Sequence, residues 1–228
     1  MFSVNYPVIL ASASPRRHDL LKELISDFQV ISADIDEDAL TDPDPFVTAQ
    51  RLAKEKVFAV YSQHPDSLVI GGDTVVALPD GDGWRQLTKP TDEGDAARIL
   101  GELSGQTHTV ITGVCIKWPK GFHAFTESSE VAFKQMSAEE IRAYIATGEP
   151  MDKAGAYGLQ GGARPFISEV KGSVNNVIGL PTERLEEAAD AFRKALLVFT
   201  DENSPMSPDE AQSGLHNVLS LLAERRKH

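Results

Sequence analysis

Two arginines stand in an awkward place in the run VILASASPRRHDLL, residues 8–21. Ser14 is a natural N-cap and Pro15 suits a first helical position, so the spacing predicts a helix from Pro15 with Leu20, Leu21, Leu24 and Ile25 on one face. Arg16 and Arg17 then fall in its first turn, where the macrodipole favours acids by about 0.3 to 1 kcal/mol each. Solvation, or pairing with acids elsewhere in an acidic chain, is one way to offset that. An anion is the other, because a helix N-terminus points free N–H groups at a phosphate and a guanidinium grips two of its oxygens.

Asp73 is the most informative carboxylate. It follows the apolar run Leu68-Val69-Ile70-Gly71-Gly72 and is expected at or near the end of a buried strand, where α/β proteins place ligands. Aspartate is depleted in strands. It reads either as a turn residue accepting its own loop's N–H groups or as a metal ligand or general base. Glu37, in the acidic loop ADIDEDALTDPDP, is a second candidate for a cation, against the plainer reading of a solvated charge cluster. Lys56, Lys89 and Lys153 could complete a phosphate site, though a lone lysine is commonly just a solvated surface residue.

The segment Met151 to Gly162 gathers Gly155, Ala156, Gly158, Gly161 and Gly162 around Asp152, Lys153, Tyr157 and Gln160. Small residues let backbone approach a ligand closely and the polar ones offer recognition; a flexible glycine loop is the alternative. The spacing is neither that of a Walker A loop nor that of a dinucleotide fingerprint. His18, His64, His108 and His123 show no zinc spacing, and Ser12 and Ser14 lack a nucleophile-elbow context.

The elements that must position these residues alternate. After the first strand and helix come a strand near 28–32, a helix over 45–62, a strand over 68–78 through Asp73, and a turn-rich PDGDGWRQ. A helix over 91–103, strands over 108–118 and 127–133, and a capped helix from Ser137 to about Ala146 follow, with short strands near 166–170 and 176–179 and a helix from Thr182 to about 197. This alternation gives an α/β protein with a mixed sheet. The stretch DENSPMSPDEAQSG reads as a polar linker, and GLHNVLSLLAERRK as a short amphipathic helix.

The chain has 228 residues, 22 basic against 34 acidic, and a formal net charge of −12. That length suits one large domain or two small lobes. The charge argues against coating long nucleic acid but leaves room for a small anion in a local basic pocket. A single cysteine, Cys115, rules out an internal disulfide. With neither a signal-peptide pattern nor a membrane-length apolar run, the chain is expected to be soluble and cytoplasmic, with no membrane partner.

Taken together, LASASPRRHDLL (10–21), GGDTVV (71–76), KP (89–90), LSGQTHTVITGV (103–114), EPMDKAGAYGLQG (149–161) and NNVIGLP (175–181) resemble the Maf family of Maf/Ham1-type nucleotide pyrophosphatases. The resemblance covers residue 7 to about 198, defining a domain over 1–198 with 199–228 outside it. It implies a mixed twisted sheet flanked by helices, two lobes around a central active-site cleft, and a homodimer. It implies Mg²⁺-dependent cleavage of a nucleoside triphosphate between its α and β phosphates, with Mn²⁺ or Co²⁺ as substitutes. Asp73 becomes the catalytic base or metal-orienting carboxylate, with Glu37 as a metal ligand and Lys56 and Lys89 as catalytic cations. Ser12, Arg16, Thr74, Asp152 and Lys153 become substrate-binding, Gln160 and its glycine loop read the base, and Arg17 is assigned a structural part.

The wording DKAGAYGLQG resembles the branch acting on dTTP and UTP, with modified pyrimidine nucleotides as side substrates. GGDT in place of Gly-Ala-Asp-Thr, a longer loop over 79–88, and GGARPF depart from the family pattern. A Ham1-like ITP/XTP pyrophosphatase and a non-catalytic nucleotide-binding regulator of cell division are the alternatives.

Overall fold

The computed structural model describes residues 6–187 apart from Lys120 and Glu186. Its strands are β1 (Val8–Leu10), β2 (Gln29–Val30), β3 (Leu68–Asp80), β4 (Gly83–Leu87), β5 (Thr107–Trp118), β6 (Gly121–Phe133) and β7 (Ile167–Lys171). The helices are α1 (Pro15–Leu24), α2 (Pro45–Gln63), α3 (Glu93–Leu103), α4 (Ala138–Ile145) and α5 (Val174–Ile178). Local chemistry sets the helix starts. Ser14, Asp44 and Asp92 each accept a backbone N–H of the first turn, and Ser137 with Glu140 closes a full capping box.

The sheet is mixed, as expected, and runs β2-β1-β3-β5-β6-β7 with β4 also on β3. β1 pairs in parallel with β2 and β3, while β3, β5, β6 and β7 are antiparallel. β5 covers one edge of β3 from Val69 to Ala77. The other edge is shared: β1 pairs only as far as Ile70, and β4 begins at Val76. Among the described residues no strand pairs with that edge between Gly71 and Val75, so the sheet is open there.

α2 lies directly on this region. Its Ala49, Leu52, Ala53, Val57 and Val60 are buried, each large aliphatic contributing about 1.5 to 3 kcal/mol by leaving water. The approach requires glycine beneath it. A Cβ at Gly71 would meet Val57 Cγ2 at 2.7 Å, and one at Gly113 would overlap the Ala49 carbonyl. Two larger apolar clusters, and a smaller one of Ala49, Val75, Ala77 and Ile111, pack on one sheet. The first joins Ile9, Ala11, Ala53, Val57, Val69 and Cys115. The second packs Ile99, Leu100, Leu103, Phe133, Ile141 and Tyr157 around the far ends of β3 and β5.

Three expectations are corrected. Residues 176–179 do not form a strand: Val174–Ile178 is helical because Ser173 caps it by accepting the Asn176 N–H, which outweighs the β-branched valines. The strand expected over 127–133 extends back to Gly121 and forms a long hairpin with β5. Asp73 is not at a strand end but midway along β3, opposite Gly113. Residues 182–185 are helical as expected. The rest of that helix, the boundary at 198, the linker and the helix over 214–227 lie outside the described residues.

Candidate active site

The opening on β3 lies beside a mid-strand aspartate. Alternation along the strand turns Asp73 to the α2 face, the same face as Gly71, and Thr74 to the opposite one. On the α2 face Lys56 Nζ lies 2.6 Å from Asp73 Oδ1 and 2.7 Å from Glu37 Oε1. Lys56 and Asp73 side chains are each 13% exposed. Glu37 arrives from the acidic loop, where it precedes the short turn Asp38–Leu40. That loop is more than a solvated face, because Arg51 on α2 holds it through the Leu40 carbonyl and an ion pair to Asp42 at 3.1 Å. Burial alone would raise the Glu37 pKa. The Lys56 hydrogen bond and charge, with Lys89 and Arg17, outweigh burial and hold the carboxyl below its ordinary value.

On the opposite face Arg17 organises a separate network. Its Nε donates to Gly179 O at 2.7 Å, Nη1 to Ser12 Oγ at 3.2 Å and Nη2 to Thr74 Oγ1 at 2.9 Å. Burial lowers the Arg17 pKa, opposed by the charges of Asp73 and Glu37, and the group stays cationic. Thr112 Oγ1 donates to Asn176 O at 2.9 Å, so Thr74 must donate to Thr112 across their 3.0 Å contact. The Thr74 hydroxyl is therefore engaged in both directions. Ser12 Oγ accepts from Arg17 and from Ser14 N–H, which leaves its own proton for a ligand.

Arg16, by contrast, turns toward Asp152, with Nη1 3.9 Å from Oδ2. Lys153 is bound locally: its Nζ donates to Asp152 Oδ1 and to the Glu149 carbonyl, both at 2.6 Å. The Lys153 hydrogen bond also holds the Asp152 carboxyl below its usual range. Gln160 and Lys89 are exposed. Tyr157, expected to offer its hydroxyl for recognition, instead meets His108 Nε2 at 2.7 Å in the core.

One cleft of about 1030 Å³ is lined by Ser12, Arg16, Glu37, Lys56, Asp73, Thr74, Lys89, Asp152, Lys153 and Gln160 together. All ten residues singled out from the sequence thus face a single space. Its charged lining includes Arg16 and Lys89, and Lys56 paired with Glu37 and Asp73. Glu149 also lines the cleft and was missed, as was its partner Tyr144. Their partnership depends on five residues of chain doubling back, which no local pattern announces.

A divalent cation fits this donor set. Glu37 and Asp73 sit close enough to share one positive charge, that of the Lys56 ammonium. Among the described residues no group of three or more His, Cys, Asp or Glu side chains could hold a metal. Two carboxylates, with further oxygens from a phosphate ligand and water, match a hard cation of the Mg²⁺ kind.

The model of the family described as Maf-like protein matches residues 7–192. A dTTP/UTP pyrophosphatase from Koribacter versatilis (strain Ellin345) is 45% identical over 184 residues, 81% of this chain and 93% of that one. One from Geobacillus sp. (strain WCH70) is 47% identical over 177 residues, 78% and 93% of the respective chains. Among solved structures, a nucleoside-triphosphatase / dITP/XTP pyrophosphatase from Mycobacterium abscessus aligns over 88% of this chain and 100% of that one at 14% identity and a TM-score of 0.41, too loosely to bear on substrate.

Proposed function

Since the chain belongs to the Maf-like protein family, we propose that its cleft takes dTTP and UTP to the monophosphate and pyrophosphate through attack of water on the α-phosphorus. The protein is a nucleoside triphosphate pyrophosphatase, a hydrolase of acid anhydrides, and its 41–47% identical relatives are named dTTP/UTP pyrophosphatase. The observation that carries the mechanism is the Glu37–Lys56–Asp73 cluster in the opening of β3.

Asp73 orients the water and accepts its proton as the new P–O bond forms and the bond to the bridging oxygen breaks. Arg16, Lys89 and Lys56 meet the charge that develops on the departing pyrophosphate. The Ser12 hydroxyl donates to a phosphate oxygen. Gln160, at the tip of the glycine loop, reads the base. Glu37 and Asp73 would hold Mg²⁺, or Mn²⁺ or Co²⁺ in its place, and such a cation would neutralise charge on the phosphates. The family resemblance extends the reading to a homodimer working in the cytoplasm.

The test is product analysis in H₂¹⁸O over dTTP, UTP, CTP, ITP and XTP with Mg²⁺. The reading expects pyrophosphate release from dTTP and UTP with ¹⁸O in the monophosphate. Preference for ITP or XTP would replace the substrate assignment, label in the pyrophosphate would move the attack to the β-phosphorus, and no turnover would leave a nucleotide-binding regulator.

A further inference from the structure

Gln160 stands on a loop that is held from behind at both ends. Glu149 Oε1 accepts the Tyr144 hydroxyl proton at 2.9 Å, and Glu149 Oε2 accepts the Gly162 N–H at 2.8 Å. Tyr144 Oη in turn accepts the Gly158 N–H at 3.1 Å. Gly158 and Gly162 flank Gln160 symmetrically, so one phenol and one carboxylate fix the two sides of the residue. Between them, Gly161 passes so close that a Cβ would overlap the Glu149 carboxylate. Just upstream, Tyr157 is fixed to β5 by His108 and packs edge-on against Phe133, with ring centroids 4.9 Å apart.

A glycine loop left to itself samples many backbone states, and a side chain on it cannot discriminate bases that differ only in a donor or acceptor. Discrimination of that kind needs a polar group held in one orientation, so that the wrong base leaves it unpaired. Tyr144 does not line the cleft: it is 4% exposed and sits in the core with Ile141 and Ile145. Its hydroxyl can act on a bound nucleotide only through what it holds, the loop at Gly158 and the Glu149 carboxylate.

We propose that Tyr144 and Glu149 are positioning residues for base discrimination, fixing the 158–162 loop so that the Gln160 amide presents a set edge to the pyrimidine. The proposal rests on the reading of Gln160 as the base-contacting residue. In the 4-oxo bases of dTTP and UTP that amide meets an acceptor, whereas in CTP it meets a 4-amino donor. The amide turns about its own side-chain bonds, so a loop free to shift would let it settle against either base, whereas a held loop limits which of its atoms can reach the base edge.

The experiment compares kcat and KM for UTP and CTP in the wild type and in Tyr144→Phe, Glu149→Gln and Gln160→Ala, with thermal midpoints for each. Tyr144→Phe is expected to lower the UTP-over-CTP ratio of kcat/KM about tenfold, mainly through KM, since it removes both the hydrogen bond donated to Glu149 and the one accepted from the Gly158 N–H. Glu149→Gln should shift the ratio in the same direction. Ratios unchanged in both variants, or UTP and CTP activity lost in parallel, would overturn the proposal in favour of a purely structural pair. Gln160→Ala separates the two readings. If it alone lowers the ratio, the positioning proposal fails and the base assignment survives; if Tyr144→Phe lowers the ratio and Gln160→Ala does not, the loop still sets selectivity through another group.

Discussion

Lys56 Nζ and Asp73 Oδ1 are 2.6 Å apart, and the same ammonium reaches Glu37 Oε1 at 2.7 Å. One lysine on α2 thus pairs with two carboxylates that come from different elements and offsets one of their two negative charges.

Lys56 then competes with a cation for the two carboxylates. Lys56→Met should raise Mn²⁺ affinity without nucleotide about tenfold or more, because it removes a positive charge within hydrogen-bonding distance of both ligands. Titration followed by the Mn²⁺ electron paramagnetic resonance signal reads this directly. Equal or weaker binding in the variant would mean that Glu37 and Asp73 do not hold the cation.

Arg17 ties α1 to β3 and to the end of α5 through three donors that lysine cannot reproduce in one plane. Arg17→Lys is expected to cost about 2 to 4 kcal/mol of unfolding free energy and to raise KM by releasing Ser12. Denaturant titration measures the first and steady-state kinetics the second. A variant of unchanged stability would remove Arg17 from its structural part.

His108 links pH to folding. Burial pushes its pKa from 6.5 down to about 3. Between those values the unfolded chain binds a proton at His108 that the native state does not, so stability falls as pH drops through this window. Below about pH 3 both states are protonated and the dependence from this residue ends. Replacing His108 with Gln should flatten the slope of unfolding free energy between pH 6 and 4 by about 1.4 kcal/mol per pH unit. An unaltered slope would contradict the assignment.

Much of this was legible in the residues. Caps at Ser14 and Ser137 and the period of α2 marked elements that depend on local chemistry, and they formed where expected. Asn176 shows where local reading fails: its segment carries valines suited to a strand, but a serine cap and bonds from its side chain to Val110 O and Ser129 Oγ hold it as a short helix. Asp73 was expected at a strand end and lies mid-strand, beside an opening that comes from where β1 stops and β4 starts. Strand pairing of that kind is a property of the sheet and not of any one strand. Glu149 was invisible for a similar reason, since its meaning lies in the backbone N–H of Gly162 and the hydroxyl of Tyr144.

The most direct test of the account is pyrophosphate release from dTTP by Asp73→Asn. Asparagine keeps the size of the side chain and can still accept a hydrogen bond from Lys56, but it cannot take a proton from water. The account predicts a fall in kcat of about 10²- to 10⁴-fold with the thermal midpoint near that of the wild type. Full turnover in the folded variant would show that Asp73 is not the base.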